Sequence, residues 1–460
     1  MRFIIFTLLL LLGGSPVRAE LSFMKDVAPL LQRRCAGCHG EKKSKGNYRL
    51  HTFEYLEKAV VPGKPEESDL YLLLVDEDPD SRMPQKDDAF SAAETGLIRE
   101  WIAAGATFDG ESPSKSFTAQ AVPRTHPAPP ATYRVPVPIM ALAFSNAGTE
   151  LAVAGHHEVT IWNPESGSLL RRLTGLPLRT HSVRWLPGDK QMLIGGGTAG
   201  EYGEVSLIDA STGERLVAFD TFEDLVLGVG IDKEGARVAA VSADKTVRAY
   251  DLESGERIWQ SSVHSDQATS VSYSADNRFV ISTSRDQTVK VLEASDGKLF
   301  TTYNGHRRNL GDYRGRFKVF AGCSDPESGL ALSAGEGRAI RIWDPVKAKE
   351  ENGTANDMEE RFFKPGHTRY IAHKFTGAAF TLAVEAGMIY TAGRDGIVRS
   401  FEFASGNQRL ELKGHNDWIY SLTPSRSTAR LATGSHDGEV RVWDTTDGTL
   451  IQAFFAAPGG

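Results

Sequence analysis

Ser435-His-Asp-Gly-Glu-Val-Arg-Val-Trp-Asp444 reads as a charged turn running into a strand, with Val440 and Val442 alternating against Glu439 and Arg441 before Trp443 closes it. The same design recurs upstream in Val-Thr-Ile-Trp162, Val-Ser-Leu-Ile208, Val-Arg-Ala-Tyr250, Val-Lys-Val-Leu292, Ile-Arg-Ile-Trp343 and Val-Arg-Ser-Phe401. The closing residues are spaced by 46, 42, 42, 51, 58 and 42 positions. Each unit is a few short strands punctuated by Gly-containing turns. A unit of that size cannot bury its apolar face alone, so the period predicts stacked β units from about residue 139 to the end.

Asp244, Asp286, Asp395 and Asp437 stand six residues before their closing positions, and Gly-His dipeptides end at His306, His367 and His415. Asn or Asp follows Trp162, Trp343 and Trp443. Period and pattern resemble WD40 repeats, which implies one four-stranded blade per copy and an all-β, seven-bladed propeller over residues 139–460. The chain departs from the pattern where His156, Tyr202 and Gly337 take the Asp position, so weaker internal hydrogen-bond networks are expected in those three units. His264, His306, His367 and His415, with His181 at a comparable place, read as hydrogen-bonding partners of their blades. His156, His157 and His373 are left as alternative ligands, His436 as a solvent-facing residue, and Cys323 as a buried core residue.

Chemistry is carried elsewhere, by Cys35-Ala-Gly-Cys38-His39. C-x-x-C-H is the attachment motif of c-type haem: two thiols at i and i+3 add to the vinyl groups of one porphyrin edge, and the next residue places an imidazole under the iron. A zinc site would want a fourth ligand, and residues 20–110 offer only His51 besides these three. A thioredoxin-like dithiol would want a βαβ setting, which the pattern lacks. His39 is then the proximal ligand. The distal donor is expected later in the same unit, at Met83 in Ser81-Arg-Met-Pro84, with His51 as the rival.

Around this motif the spacing predicts helices: one capped by Asp26 and running to Arg34, one over Asp69 to Val75, and one opened by the Ser91-x-x-Glu94 capping box and ended by Gly105. The stretches Asp26-Val-Ala-Pro-Leu-Leu, Arg34-Cys-Ala-Gly-Cys-His-Gly40, Lys45-Gly-Asn-Tyr-Arg-Leu50, Val61-Pro-Gly-Lys-Pro-Glu-Glu-Ser68, Arg82-Met-Pro84 and Trp101-Ile-Ala-Ala-Gly-Ala106 together resemble the planctomycete-type cytochrome c domain. The resemblance implies a small all-α fold like class I cytochrome c, covalent haem on Cys35 and Cys38, and iron ligation by His39 and Met83. Asn47 and His51 depart from that family's usual Gly and Asp.

The remainder frames these two units. Arg2 followed by the apolar run Phe3 to Leu12 and a break at Gly13 reads as a signal peptide over residues 1–19, cleaved or kept as an anchor. Residues 20–110 form the cytochrome c domain, and 111–138, with seven of the 21 prolines, a linker. Fifty-two basic against 59 acidic side chains give −7, which excludes a nucleic-acid-binding signature. Three cysteines exclude a disulfide scaffold. The cytochrome segment is net −5, whereas Arg307, Arg308, Arg314, Arg316, Lys318, Arg369 and Lys374 crowd two connections of the propeller. The expectation is an exported, periplasmic electron carrier with one haem c, whose propeller binds a redox partner protein. A propeller oxidoreductase with a second cofactor and a haem-based sensor are the alternatives, and membrane contact follows only if the signal segment stays attached.

Overall fold

The computed structural model describes residues 21–35, 39, 48–85, 88–110, 112–114, 117, 125–307, 317–337, 339–351, 365–372 and 376–458. The signal segment, Cys38, His373 and most of the basic connections therefore lie outside the described residues. The chain divides into two compact units, Met1–Gln120 and Ala121–Gly460. Among the described residues no helix is long and apolar enough to cross a membrane.

The first unit is helical. Its opening helix begins earlier than Asp26: Ser22 caps a π-helical turn (Phe23–Val27) that runs straight into α1 (Ala28–Arg34). The Ser22 hydroxyl accepts from Lys25 N–H at 3.1 Å while Ser22 N–H donates to the Asp26 carboxylate at 2.9 Å. Asp26 is thus the reciprocal partner of the cap rather than the cap itself. After α2 (Phe53–Leu56), α3 (Asp69–Val75) falls where the apolar run places it. In α4 (Ala92–Ala103) the Ser91–Glu94 capping box is complete, and Gly105, at φ 104°, turns the chain away. Phe23, Val27, Leu31, Leu56, Ile98, Trp101 and Ile102 meet in one core, each at most 1% exposed. Burial of that kind contributes about 2 kcal/mol per large side chain. The Pro-rich stretch starts inside this unit: Phe117 is buried in the same core, its N–H on the His51 carbonyl at 2.9 Å.

Among the described residues the second unit is β apart from two short helical pieces, Gly305–Arg307 and Pro345–Glu351. Strands β1 (Leu142–Phe144), β2 (Leu151–Ala154), β3 (His156–Trp162), β4 (Leu169–Trp185), β5 (Gln191–Thr198), β6 (Tyr202–Asp209) and β7 (Arg215–Ala218) form one antiparallel sheet. β4 is long enough to pair with β3 through its first half and β5 through its second. Five four-stranded sheets follow, starting at β8 (Val226–Ile231), β12 (Ala268–Tyr273), β16 (Val319–Ser324), β20 (Ala379–Glu385) and β24 (Ile419–Pro424). First strands touch in the order β1, β4, β8, β12, β16, β20, β24 and back to β1, so the sheets close in a propeller-like ring. The ring is stitched shut where Ile139 N–H donates to Ser435 O at 3.0 Å and Ser421 Oγ to Ile139 O at 2.8 Å.

The polar networks inside the sheets correct part of the sequence reading. His264 pairs with Asp286 as expected, and Arg399 and Arg248 bind Asp395 and Asp244 four residues before them. His415, however, meets Glu439 at 3.2 Å rather than Asp437. Two of the three sheet segments that lack the Asp are not weak. Fully buried Glu158 accepts from Arg172 at 2.6 Å and from the Tyr133 hydroxyl. Buried Glu204 takes His126 at 2.8 Å and Arg215 at 3.0 Å. The carboxylate has moved two residues along each strand, and its partners Tyr133 and His126 come from the Pro-rich stretch. The Gly337 segment is as thin as expected: His306 Nε2 bonds Ser333 Oγ at 2.8 Å, and its buried Nδ1 has no hydrogen-bond partner among the described residues.

Candidate functional site

In the helical unit, Cys35, His39, Tyr48 and Met83 border one cavity of about 200 Å³, walled otherwise by Leu50, Leu70, Leu73 and Leu74. Each donor is placed by backbone bonds. Cys35 ends α1, its N–H on Leu31 O at 2.9 Å, and His39 N–H follows onto Cys35 O at 2.9 Å. The His39 carbonyl takes Leu50 N–H at 2.8 Å, which brings the Tyr48–Leu50 strip alongside. Met83 N–H donates to Leu73 O at 2.8 Å, hanging its loop from α3. Met83 is followed by a cis peptide to Pro84 and packs against the unit's core.

The His39 imidazole is oriented by the backbone. Its Nδ1 lies 3.0 Å from Tyr48 O, and because a carbonyl can only accept, Nδ1 carries the proton and Nε2 the lone pair. His51, the rival distal donor, does not border the cavity; its ring packs on Tyr55 at 5.3 Å. Met24 is equally remote in role, buried in the core with its N–H on Asp109.

These residues fit a c-type haem. One apolar space receives a thiol, an imidazole and a thioether, the donor set such a group requires. Tyr48 Oη is also buried at this site and has no hydrogen-bond partner among the described residues. Sequence reasoning missed that hydroxyl, since nothing in the order of residues says that a tyrosine nine positions past His39 turns its side chain into the cavity.

The second unit offers a different kind of surface. Six first strands carry a bulge at their second or third register position, setting His181, Leu227, Thr269, Phe320, Phe380 and Tyr420 out of the ladder. All six are partly exposed. A bulge leaves one side chain unpaired and re-aims it, and three consecutive sheets place an aromatic there. Phe320 and Phe380 lie 5.5 Å apart, and Phe380 and Tyr420 stack at 5.3 Å. Trp418, 38% exposed, extends the patch, with Arg394 over its ring at 5.1 Å and the Asp417–His436 pair beside it. His436 is solvent-facing, as expected. Cys323 is half-buried on β16, and burial pushes its thiol up to about 12. His156 and His157 rings meet edge to face at 5.0 Å, and His157 Nδ1 bonds Leu176 O at 3.1 Å.

Residues 35–87 match the family described as planctomycete cytochrome C, and residues 406–444 match the WD domain, G-beta repeat. Residues 155–316 and 243–340 match a family described as outer membrane protein assembly factor BamB. Among curated proteins, the chain is 25% identical over 140 residues to THO complex subunit 6 of Arabidopsis thaliana, covering 28% of this chain and 37% of that one. It is 27% identical over 134 residues to striatin of Rattus norvegicus, covering 26% and 16%, and 38% identical over 74 residues to a DENN domain and WD repeat-containing protein of Arabidopsis thaliana, covering 16% and 6%. The matches thus span little more than a third of these relatives at most. The chain thus carries a stretch similar to planctomycete cytochrome C ahead of a propeller-like ring of sheets, in which one stretch is similar to the WD domain, G-beta repeat.

Proposed function

We propose that this protein is an exported, mono-haem c-type cytochrome that transfers electrons, with a seven-bladed propeller as the platform for a redox partner protein. The observation that carries the reading is the convergence of Cys35, His39 and Met83 on one apolar cavity. Cys35 and Cys38 would hold the haem covalently, and His39 Nε2 and the Met83 sulfur would ligate its iron. The bound group supplies the Fe(III)/Fe(II) couple. Everything else is done by the chain. The Tyr48 carbonyl fixes the imidazole, and the leucine walls exclude water and favour the less charged reduced site. The Leu73 carbonyl keeps the Met83 loop against α3.

A covalent tether suits a compartment from which a loose cofactor would be lost. The match to a BamB description, a protein named for outer-membrane assembly, also supports placement outside the cytoplasm. The seven first strands of the ring support the blade count, β4 serving two blades at once. The aromatic patch at Phe380, Trp418 and Tyr420 is the exposed feature best suited to a protein partner.

The test is an absorption spectrum of protein produced with export and haem c maturation, oxidised and reduced, beside haem staining of a denaturing gel. One covalent haem with a far-red sulfur-to-iron band is expected, and Met83→Ala should abolish that band while retaining the haem. A haem-free product overturns the electron-transfer reading; a band that survives Met83→Ala overturns the distal assignment.

A further inference from the structure

In the four positions that follow their bulges, the six bulged first strands carry one charged residue, Arg184. Three residues past the bulge they present Arg184, Gly230, Ser272, Cys323, Ala383 and Thr423, so one long cationic side chain shares its level with five small ones. First strands line the inside of the ring and touch one another around it. A side chain exposed at mid-strand there opens on the ring's axis, because neighbouring sheets cover its flanks. Gly230 shows how close the flanks are: an added Cβ would meet Val271 O at 3.2 Å and Ser272 Cα at 3.4 Å. Arg184 is exposed and Ser272, Cys323, Ala383 and Thr423 are partly so, whereas Val183, Val229 and Val271, one position earlier, are buried.

The Arg184 charge is left open. Its Nη1 donates to the Val183 carbonyl, one residue back, at 3.1 Å, and no carboxylate among the described residues pairs with it. The acidic side chains two positions further along their strands have partners of their own: Asp232 takes Arg237 at 3.0 Å, Asp325 the Ser328 N–H at 2.7 Å and Glu385 Arg426 at 3.7 Å. The Arg184 charge acts on Cys323 of β16 and on Arg426 beyond β24, and neither strand adjoins β4 in the ring, so the guanidinium reaches towards the axis. Enclosure, then the Arg426 charge, lowers its pKa, yet a guanidinium stays charged at any ordinary pH and only an anion relieves it. Hydroxyls stand at the same level. Ser272 Oγ has no hydrogen-bond partner among the described residues, and Thr423 Oγ1 reaches Pro424 O only at 3.5 Å. We propose that the axis of the ring is a binding site for a small oxyanion, held by the two-pronged fork of Arg184 and by the Ser272 and Thr423 hydroxyls. The planar fork matches two oxygens of a carboxylate or a phosphate, and the small side chains around it leave room for a ligand of a few atoms. The inference is built from the β unit alone and stands apart from the haem reading.

The experiment is a calorimetric titration of the full-length protein, freed of oxyanions in chloride buffer, with inorganic phosphate and, in a separate arm, with acetate at matched ionic strength. Saturable binding of one ion per chain is expected. Binding of phosphate alone identifies a tetrahedral oxyanion as the ligand class and binding of acetate alone a carboxylate; either upholds the site. Arg184→Gln should weaken binding by about tenfold or more. Arg184→Lys keeps the charge but loses the fork, and should weaken it by less. Thr423→Asp sets a carboxylate at the same level, which should compete with the ligand and abolish the saturable heat, and it decides the matter if Arg184→Gln does not fold. Wild-type protein that binds neither ion saturably overturns the proposal. So does binding that survives Arg184→Gln or Thr423→Asp unchanged, since the ions then collect elsewhere on the protein. A haem-free product overturns the functional reading above and leaves this test intact.

Discussion

His39 and His264 are the same residue in opposite circumstances. His39 gives Nδ1 to a backbone carbonyl at 3.0 Å and borders an apolar cavity with its other edge. His264 is buried in the β unit with both nitrogens engaged by side chains, Nδ1 by Asp286 and Nε2 by Ser282, each at 2.9 Å. One imidazole is oriented and left with a lone pair to offer; the other is consumed by the fold. A histidine therefore announces a site when its second nitrogen is held beside a cavity that protein groups do not fill, and burial alone announces nothing. That contrast can be broken by substitution at either end.

The largest effect is expected at His39. His39→Ala should remove the low-spin c-type spectrum almost completely while leaving the unfolding transition of the β unit in place. A spectrum that persists, or a propeller transition that moves with it, would mean that His39 is a structural residue like His264. The reciprocal substitution, His264→Ala, should leave the spectrum alone and destabilise the β unit by about 3 kcal/mol, because Asp286 is left buried without its partner. Denaturant midpoints for that unit measure this, and a loss under about 1 kcal/mol would contradict it. Burial alone would raise the Asp286 carboxyl, but His264, Thr288 and Ser265 hold it well below the usual carboxylate range. Its contribution is accordingly present above a pH of about 4 and is lost as pH falls below that value.

A pH experiment separates the histidines further. Burial, then the nearby Arg179 charge, depresses His181 to about 4, and burial depresses His415 to about 4 against the pull of Glu439. Both are neutral in the fold and protonate more readily when unfolded, at about 6.5. Their share of stability is therefore complete above 6.5 and declines as pH falls towards 4, by about 2 kcal/mol each at pH 5. His181→Leu should flatten that acid limb by about this amount when unfolding free energies at pH 7 and pH 5 are compared. An unaltered slope would show that His181 is already protonated in the folded state.

The sequence told these regions apart wherever the signal was local. The Ser91–Glu94 box, the Asp69–Val75 run and C-x-x-C-H each sit within a dozen residues, and strand periodicity located every closing strand of the ring. What stayed hidden depends on distant chain segments meeting. Loss of the Asp at His156 and Tyr202 looked like weakness, but Glu158 and Glu204 take over, and their partners Tyr133 and His126 lie 25 and 78 residues away in a stretch whose prolines read as spacer. A bulge likewise leaves no mark in alternation until the ladder is seen, so the aromatic patch of Phe320, Phe380 and Tyr420 was invisible as a patch. Tyr48 belongs to the same class: its type and position were plain, its buried hydroxyl was not.

The smallest predicted effect tests the one place where the pattern's loss is real. Ser333 stands four residues before Gly337 and bonds His306 Nε2, as Ser282 stands four before Asp286 and bonds His264 Nε2. The two sheets thus share a frame, and the carboxylate is missing beside His306 Nδ1, which is buried without a hydrogen-bond partner among the described residues. Gly337 is no conformational necessity: it carries no left-handed φ, and the nearest atoms to an added Cβ would be Phe317 carbons at 3.6 Å, an ordinary contact. Arg341 follows four residues on, the spacing at which Arg248 and Arg399 reach Asp244 and Asp395. Gly337→Asp should therefore stabilise the β unit by about 1 kcal/mol, combining a new charge-assisted hydrogen bond with a stiffer unfolded chain, offset by burial of the charge. Burial and the Arg341 charge now hold His306 well below its ordinary pKa, and the new carboxylate should raise it. The gain should consequently grow as pH falls from 7 towards 5. A variant less stable than the parent at both pH values would mean that the His264 arrangement cannot be transplanted, and that the His306 sheet has settled on a packing of its own around the stacked Tyr303 and Trp343 rings, 4.4 Å apart.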